Sequence, residues 1–544
     1  MSLLLGVVVL GVAATAAVAD DENPQPVDFV HNLAGTPAPV PSAEWANGPK
    51  VKTGTAICTT ETQSGNANTD CEENGPHNET SIAVNPTDPK NLLGGANDYQ
   101  LSVNPGGHVG ENVLSRAHVT TDGGKTWSEY PIYSTAAYQG TGDPSVAFDQ
   151  DGRAYYATLG FRFVGPVNST NPDVLVGTST DQGKTWDMQR VASGSGVATS
   201  VGDFLDKEYL TAWGHGNAIV TFGDFKQVQK GAVVSADIYD VVTHDGGKTW
   251  SQPTKISSDL GGSFASVPTY AGGRVWVAFL NTPASRLDPT KPEYGRDDYM
   301  VVEVDPTTGA PIADSLKNVG EVFDGNYDFP WAFGRPTYQD SVFRTWAAGN
   351  IVADPNHPDH LAVVWSDMRH SPNFFPDGAA DPYSVSTNSD VIVSESTNGG
   401  TSWSSPAAIV TASAGQVAGD QFMPWAAFDT NGRLRIGYFD RHYDGGNHQY
   451  GYSVATETSP GVFATTQVSS VLSDPTKDQR WFARTVDPDF PNATAFLGDY
   501  SNIAALPDGT VAAYWTDMRN INCWPDSGTS CTTHGQDAYF GISP

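Results

Sequence analysis

Positive charge is scarce in this chain. Its 544 residues hold 29 Lys+Arg against 61 Asp+Glu, a formal charge of −32. A field of that sign repels phosphate backbones and anionic membrane surfaces, which removes nucleic acid and membrane from the expected partners. An anionic ligand would need local arginines to overcome it. Cysteine is as sparse, with Cys58 and Cys71 near one end and Cys523 and Cys531 near the other. Neither pair has metal-ligand spacing, and the twelve histidines are scattered, so no zinc site or other cofactor is expected. No long stretch carries helical periodicity, which argues against a helical protein. A P-loop, a dinucleotide fingerprint and a G-x-S-x-G elbow are all missing.

What is present is turn and core material. There are 56 Gly, 37 Pro, 14 Trp, 21 Tyr and 23 Phe, and short apolar runs lie between Gly/Pro turns. That combination predicts an all-β protein with a large core. Residues 1–19 contain SLLLGVVVLGVAATAAVA and a small-residue cleavage site at Ala17-Val18-Ala19, the pattern of a secretory signal. It is too short and Ala-rich for a membrane span. A secreted, monomeric protein is expected, and four cysteines suit that compartment. Of three possible pairings, Cys58–Cys71 and Cys523–Cys531 each close a short polar loop and are preferred. Residues 20–50 form a Pro-rich lead-in without a fold of its own.

From residue 51 to 544 one pattern recurs. An apolar strand, an Asn/Asp/Gly turn and a second apolar strand ending in an acid or amide appear in ETSIAVNPTDPKNLLGGAND, KEYLTAWGHGNAIVTFGD, FASVPTYAGGRVWVAFLN, AAGNIVADPNHPDHLAVVWSD, MPWAAFDTNGRLRIGYFD and YSNIAALPDGTVAAYWTD. DPSVAFDQDGRAYYATLGF belongs with them without the terminal acid. About seven such units predict a β-propeller of four-stranded blades, six being the other count considered. The last unit is short of a strand, which KVKTGTAICTT could supply from the N-terminal side, closing the ring.

Four units also carry a copied turn, TTDGGKTW from Thr120, STDQGKTW from Ser179, THDGGKTW from Thr243 and STNGGTSW from Ser396. Asp122, Asp181 and Asp245 can accept backbone N–H groups inside the turn, and Asn398 can do so without charge. Trp127, Trp186, Trp250 and Trp403 can pack on the blade beneath. Replacement of the acid by an amide in the fourth copy predicts a structural device, not a catalytic acid.

These motifs are the Asp-box, or bacterial neuraminidase, repeat, and with the strand pairs the chain resembles the sialidase superfamily over nearly all of residues 51–544. The resemblance implies a secreted propeller acting on glycans as a glycoside hydrolase. A non-catalytic glycan- or protein-binding propeller and a polysaccharide lyase on the same fold are the alternatives. It makes Tyr500, in YSNIAALPDGT, a candidate nucleophile and Asp98 a candidate acid/base, with Asp499 or Asp517 as the base for the tyrosine. It also departs from the pattern. Asn78, Glu79 and Thr80 stand where an Arg of the carboxylate-binding triad belongs, and Phe264 and Ala265 stand where the glutamate partner of the tyrosine belongs.

A second set of residues is repeated. WSDMRH, YFDRHYD and WTDMRN place Asp367/Arg369, Asp440/Arg441 and Asp517/Arg519 after their second strands. Gly-Asp pairs add Asp143, Asp203, Asp420 and Asp499, and Arg344 precedes an inner strand. Around one mouth of a propeller these arginines could grip a carboxylate or sugar hydroxyls beside Asp143, Asp367 and Asp440. The plainer expectation, which repetition favours, is that each Arg pairs with an Asp of a neighbouring blade and stitches the ring. Asp and Asn at that mouth could also hold calcium, although no ordered ligand loop supports it.

Overall fold

The computed structural model describes residues 50–51, 56, 58–61, 65–70, 76–103, 109–132, 138, 140–162, 170–197, 201–227, 233–258, 260, 262–332, 335–372, 375, 381–409, 419–477, 496–522 and 533–544. The expected signal segment and most of the expected lead-in lie outside these residues, as do Cys71, Cys523 and Cys531 of the expected disulfides. Among the described residues the only helices are short 3-10 turns, none long and apolar enough to cross a membrane.

Seven antiparallel sheets succeed one another along the chain as the blades of a propeller. The first comprises His77–Val84, Leu92–Val103, Val109–Thr120 and Thr126–Pro131, and the second Gly140–Phe148, Ala154–Phe161, Asp173–Ser179 and Trp186–Ala192. The third runs from Gly202–Trp213 to Thr254–Lys255, and the fourth from Ser263–Ala271 to Lys317–Glu321. The fifth runs from Ile351–Ala353 to Ala407–Ala408, and the sixth from Gln421–Phe428 to Val462–Gln467. The seventh joins Asn502–Ala505, Val511–Asp517 and Asp537–Ser543 to Asn66–Asn68, which pairs with Asp537–Ser543 from the N-terminal side. An N-terminal strand therefore closes the ring, but a later one than expected. Of the segment KVKTGTAICTT, Lys50–Val51 adds a fifth strand to the second blade and Cys58–Glu61 a fifth strand to the first.

Middle strands such as Leu361–Asp367 are buried along their whole length, because a blade is covered on both faces by its neighbours. Apolar side chains of adjacent blades interlock, as where Trp276 and Tyr299 of the fourth meet Trp365 of the fifth.

The copied turn joins the third and fourth strands of the first, second, third and fifth blades, as its position in the repeat predicts. The Asp122 carboxylate accepts from the backbone N–H of Lys125 and Thr126 at 3.0 Å and from the Thr126 hydroxyl at 2.7 Å. The Thr120 hydroxyl reaches the same carboxylate at 2.8 Å and in turn accepts from Gly124 N–H at 2.9 Å. Asp181 and Asp245 repeat the arrangement, and Asn398 keeps the bond to the backbone of Ser402 at 2.9 Å. Gly124 has φ +87, and a Cβ there would lie 2.3 Å from the Phe540 ring. Only glycine fits that turn and that approach. Trp127 is fully buried, stacked on Tyr514 and against Phe540 of the seventh blade. The Asp-box thus locks a hairpin and sets an aromatic wedge between blades.

Candidate active site

The innermost strands share one irregularity that the sequence pattern does not announce. In the first, second, third, fourth and sixth blades the register slips just after Asn78, Gly142, Asp206, Phe264 and Phe422. The residue at each slip is left-handed, namely Glu79 (φ 55), Asp143 (φ 60), Lys207 (φ 53), Ala265 (φ 55) and Met423 (φ 50). Such a conformation costs a non-glycine residue about 1–3 kcal/mol, and a β-bulge is the usual device for re-aiming a side chain. Three consecutive blades thus bring Glu79, Asp143 and Lys207 together.

The Lys207 ammonium is buried and donates to Asp143 Oδ2 at 2.7 Å and to Glu79 Oε1 at 3.2 Å, and lies 2.8 Å from Asp499 Oδ2. The Arg344 guanidinium grips Asp499 with two bonds, Nε to Oδ1 at 2.8 Å and Nη2 to Oδ2. The Trp346 indole N–H donates to the Asp499 carbonyl at 2.7 Å. Asn97 donates to Glu79 Oε2 at 2.8 Å and accepts from the backbone N–H of Asp143 at 2.9 Å. Asp206 and Glu208 flank Lys207 in sequence and are buried, and neither oxygen of Glu208 has a hydrogen-bond partner among the described residues. Tyr500, Tyr209 and Val267 pack together against Trp425, and the Tyr500 hydroxyl donates to the Pro144 carbonyl at 3.1 Å. The Lys207 ammonium stands 5.5 Å from the Trp346 ring centre and 5.7 Å from that of Tyr500.

Five carboxyl groups crowd two cations here, so their protonation states diverge. Burial, the Asp143 charge and the Asp499 charge push Glu79 well above the usual carboxyl range, although Lys207 opposes the shift. Burial and Asp143 push Glu208 well above it too, and burial, with Asp143 and Asp499, holds Asp206 at about 8. Asp499 goes the other way, because Arg344 and Lys207 outweigh its burial and keep it ionised. Lys207 is likewise buried, yet the surrounding carboxylates hold it charged. Burial, then the charge of Glu79, raises the Tyr500 phenol well above its ordinary value, so it keeps its proton.

The structure therefore gathers Tyr500, Asp499, Asp143 and Arg344 and separates the other sequence candidates from them. Asp98 lies in a different buried cluster, 2.9 Å from Arg116 Nε and 3.3 Å from His77 Nε2. The repeated acids pair with a basic side chain two residues further along their own chain, not with one from a neighbouring blade as expected. Arg369 binds Asp367 and Arg519 binds Asp517, each with a closest approach of 2.7 Å, and His442 binds Asp440 at 2.5 Å. Asp224 meets Lys226 at 2.6 Å in the same manner, and Lys226 also reaches Asp203. The reason is local: Trp365 and Trp515 each donate to the acid two residues on, which fixes it where the next cation can fork onto it. Arg441 is fully buried against Asp420, Ser341 and two backbone carbonyls. Sequence reasoning missed Glu79, Asp206, Lys207 and Glu208. The available signal was a titratable residue two positions before Ser81, Ser145 and Tyr209 in the first three repeats.

Residues 118–129 match the family model of the BNR/Asp-box repeat. No curated protein matches the chain. Among solved structures the chain is similar to a protein of unknown function from Dyadobacter fermentans (10% identity, 88% of this chain and 98% of that one, TM-score 0.42). It is also similar to the GH93 alpha-L-arabinofuranosidase of Fusarium graminearum (14% identity, 88% and 95%, TM-score 0.38) and to Trypanosoma rangeli sialidase (11% identity, 81% and 57%, TM-score 0.37). The structure is thus a seven-bladed β-propeller in which a BNR/Asp-box repeat is matched at residues 118–129.

Proposed function

We propose that this chain is a secreted propeller that hydrolyses a glycosidic bond at the site around Lys207. The observation that carries the proposal is a set of carboxyl groups in one site held in opposite protonation states, Glu208 and Glu79 toward neutral and Asp499 toward charged. Glycoside hydrolysis needs one carboxyl that can give a proton to the leaving oxygen and one carboxylate facing the sugar carbon or a water. Glu208, with no hydrogen-bond partner of its own among the described residues, is the acid. Asp143, the strongest charge acting on Glu208, is the carboxylate. Tyr209, Tyr500 and Trp425 pack on one another as an aromatic cluster beside Lys207. Arg344 and Lys207 hold Asp499 and set the local field. A covalent route through Tyr500 is disfavoured, because the phenol keeps its proton and the neighbouring Glu79 is itself held toward neutral.

A screen of the secreted protein against polysaccharides and glycoconjugates tests this. Glu208→Gln should lower turnover on the substrate found by about 100-fold or more, with the melting midpoint unchanged or raised. Full activity in Glu208→Gln would sink the acid assignment. A glycan that binds without being cleaved would instead select a non-catalytic propeller, the reading favoured by the convergence of Glu79, Asp143 and Asp499 on one lysine.

A further inference from the structure

We infer that the turn at residues 305–310 of the fourth blade is a pH-sensitive latch, held on the third blade by a neutral Asp240 and a charged His244. The turn, DPTTGA, follows Asp298–Val304, the third strand of its blade. It closes on itself, with the Asp305 N–H donating to the Ala310 carbonyl at 2.8 Å and the Gly309 N–H to the Asp305 carbonyl at 2.9 Å. Asp240 lies in Val233–Thr243, and His244 opens the Asp-box turn that follows. Both sit toward the end of the third blade away from Lys207, where Trp213 pairs with Asn217 and Ala218 with Thr243. The latch is therefore separate from the candidate active site.

Asp240 is fully buried, and neither of its carboxyl oxygens has a hydrogen-bond partner among the described residues. Its cross-strand neighbours are Thr221 and Thr254. Gly309 lies directly over the carboxyl, since a Cβ there would stand 2.2 Å from Oδ1 and 3.1 Å from Oδ2. Glycine at φ +73 thus both makes the turn and lets it settle on the acid. The charged groups of the flanking elements are engaged elsewhere. Lys255, next to Thr254, meets Asp237 at 2.9 Å, and Asp305 of the turn accepts from the Thr307 and Thr308 N–H groups. A carboxylate sealed in this way has neither a donor nor water, so the closed turn admits only the neutral acid. Burial accordingly holds Asp240 up at about 8. Lifting the turn lets water in, and the acid then ionises in the ordinary range.

His244 acts in the same direction from the exposed side. Its Nε2 lies 2.8 Å from the Thr307 carbonyl, which can only accept. Its Nδ1 lies 2.8 Å from Asn217 Oδ1, and that amide is oriented by its own Nδ2 donating to the Trp213 carbonyl. Two acceptors need two N–H groups, so the imidazolium makes both bonds and the neutral ring makes one. The Asp305 carboxylate on the turn acts on the ring, and Asp245 follows it in the chain; both favour its charged form. Raising the pH removes one His244 bond and drives a charge onto Asp240, and each change frees the turn.

An acid raised in the closed form adds closure that is complete below the ordinary carboxyl range and lost as pH rises through about 8. Opening should therefore grow by up to about 10-fold per pH unit across that window. Hydrogen exchange on the full chain reads it at the amides of Asp305, Gly309 and Ile312, which are hydrogen-bonded across the turn. Rates are measured at pH 5.5 and pH 7.5 and divided by those of the unstructured peptide. Wild type should lose about 30-fold or more of its protection there between the two, while amides of Leu361–Asp367 in the fifth blade keep theirs. Asp240→Asn, neutral at every pH, should retain at pH 7.5 the protection it has at pH 5.5. His244→Ala should lower protection at pH 5.5 by about 3-fold or more. A wild-type change of less than about 2-fold, a loss that persists in Asp240→Asn, or wild-type exchange in His244→Ala would overturn the latch. The wild-type profile decides the matter even if the variants do not fold.

Discussion

Replacing Lys207 by methionine keeps most of the side-chain volume and removes the cation that, among the described residues, Glu79, Asp143 and Asp499 share, at 3.2, 2.7 and 2.8 Å. Asp499 retains Arg344, but Glu79 and Asp143 lose their nearest cation. Removing one partner from a buried ion cluster costs about 3–5 kcal/mol, since the remaining charge has neither water nor a counter-ion. In a chain of this size that corresponds to a fall of roughly 3–5 °C in the melting midpoint. The loss should be largest at alkaline pH. Glu79 is already held above the ordinary carboxyl range, and removal of the ammonium pushes it higher. A carboxyl raised in the folded state adds stability at low pH that is lost as pH rises through its folded value. The gap between Lys207→Met and wild type should therefore shrink between pH 8 and pH 5. Calorimetric scans of both proteins across that range give the answer. A variant melting within about 1 °C of wild type at pH 8, or a gap that widens on acidification, would refute the account of the site.

Asp122→Ala should lower the melting midpoint by about 1–3 °C through loss of the turn bonds while activity per folded molecule is unchanged, and a selective loss of turnover would contradict the structural role of the Asp-box. Asp206, held at about 8 by burial and neighbouring carboxylates, contributes stability that is fully present below the ordinary carboxyl range and lost as pH rises through 8. Asp206→Asn should flatten that decline in denaturation curves between pH 6 and 9, and an unaltered slope would show that the group is not neutral in the folded protein.

Much of the fold was legible because a propeller is written as a repeat. Each unit shows two apolar runs around an Asn/Asp/Gly turn, and the third and fourth strands are announced by Asp122, Asp181, Asp245 or Asn398 and their tryptophans. Those signals are local, since a turn bond or a left-handed glycine depends on residues a few positions away. The pairing of Asp367 with Arg369 and of Asp517 with Arg519 was equally local, yet it was expected between blades. The repeat alone cannot say that an indole two residues earlier will pin the acid in place.

The sequence by itself determined an all-β ring of about seven repeats, the place of the copied turns and closure by an N-terminal strand, while the count of seven came from the structure. It did not determine which strand closes the ring, because Asn66–Asn68 is short and polar and carries no apolar strand pattern. Only the tertiary structure gathered Glu79, Asp143, Lys207, Arg344 and Asp499, whose chain separations are as large as the ring. It also laid Gly309 of the fourth blade over Asp240 of the third. The physical reason is common to both. A bulge can turn one side chain toward its neighbours, but which side chains meet depends on the closed circle of blades, where residues far apart in sequence come into contact.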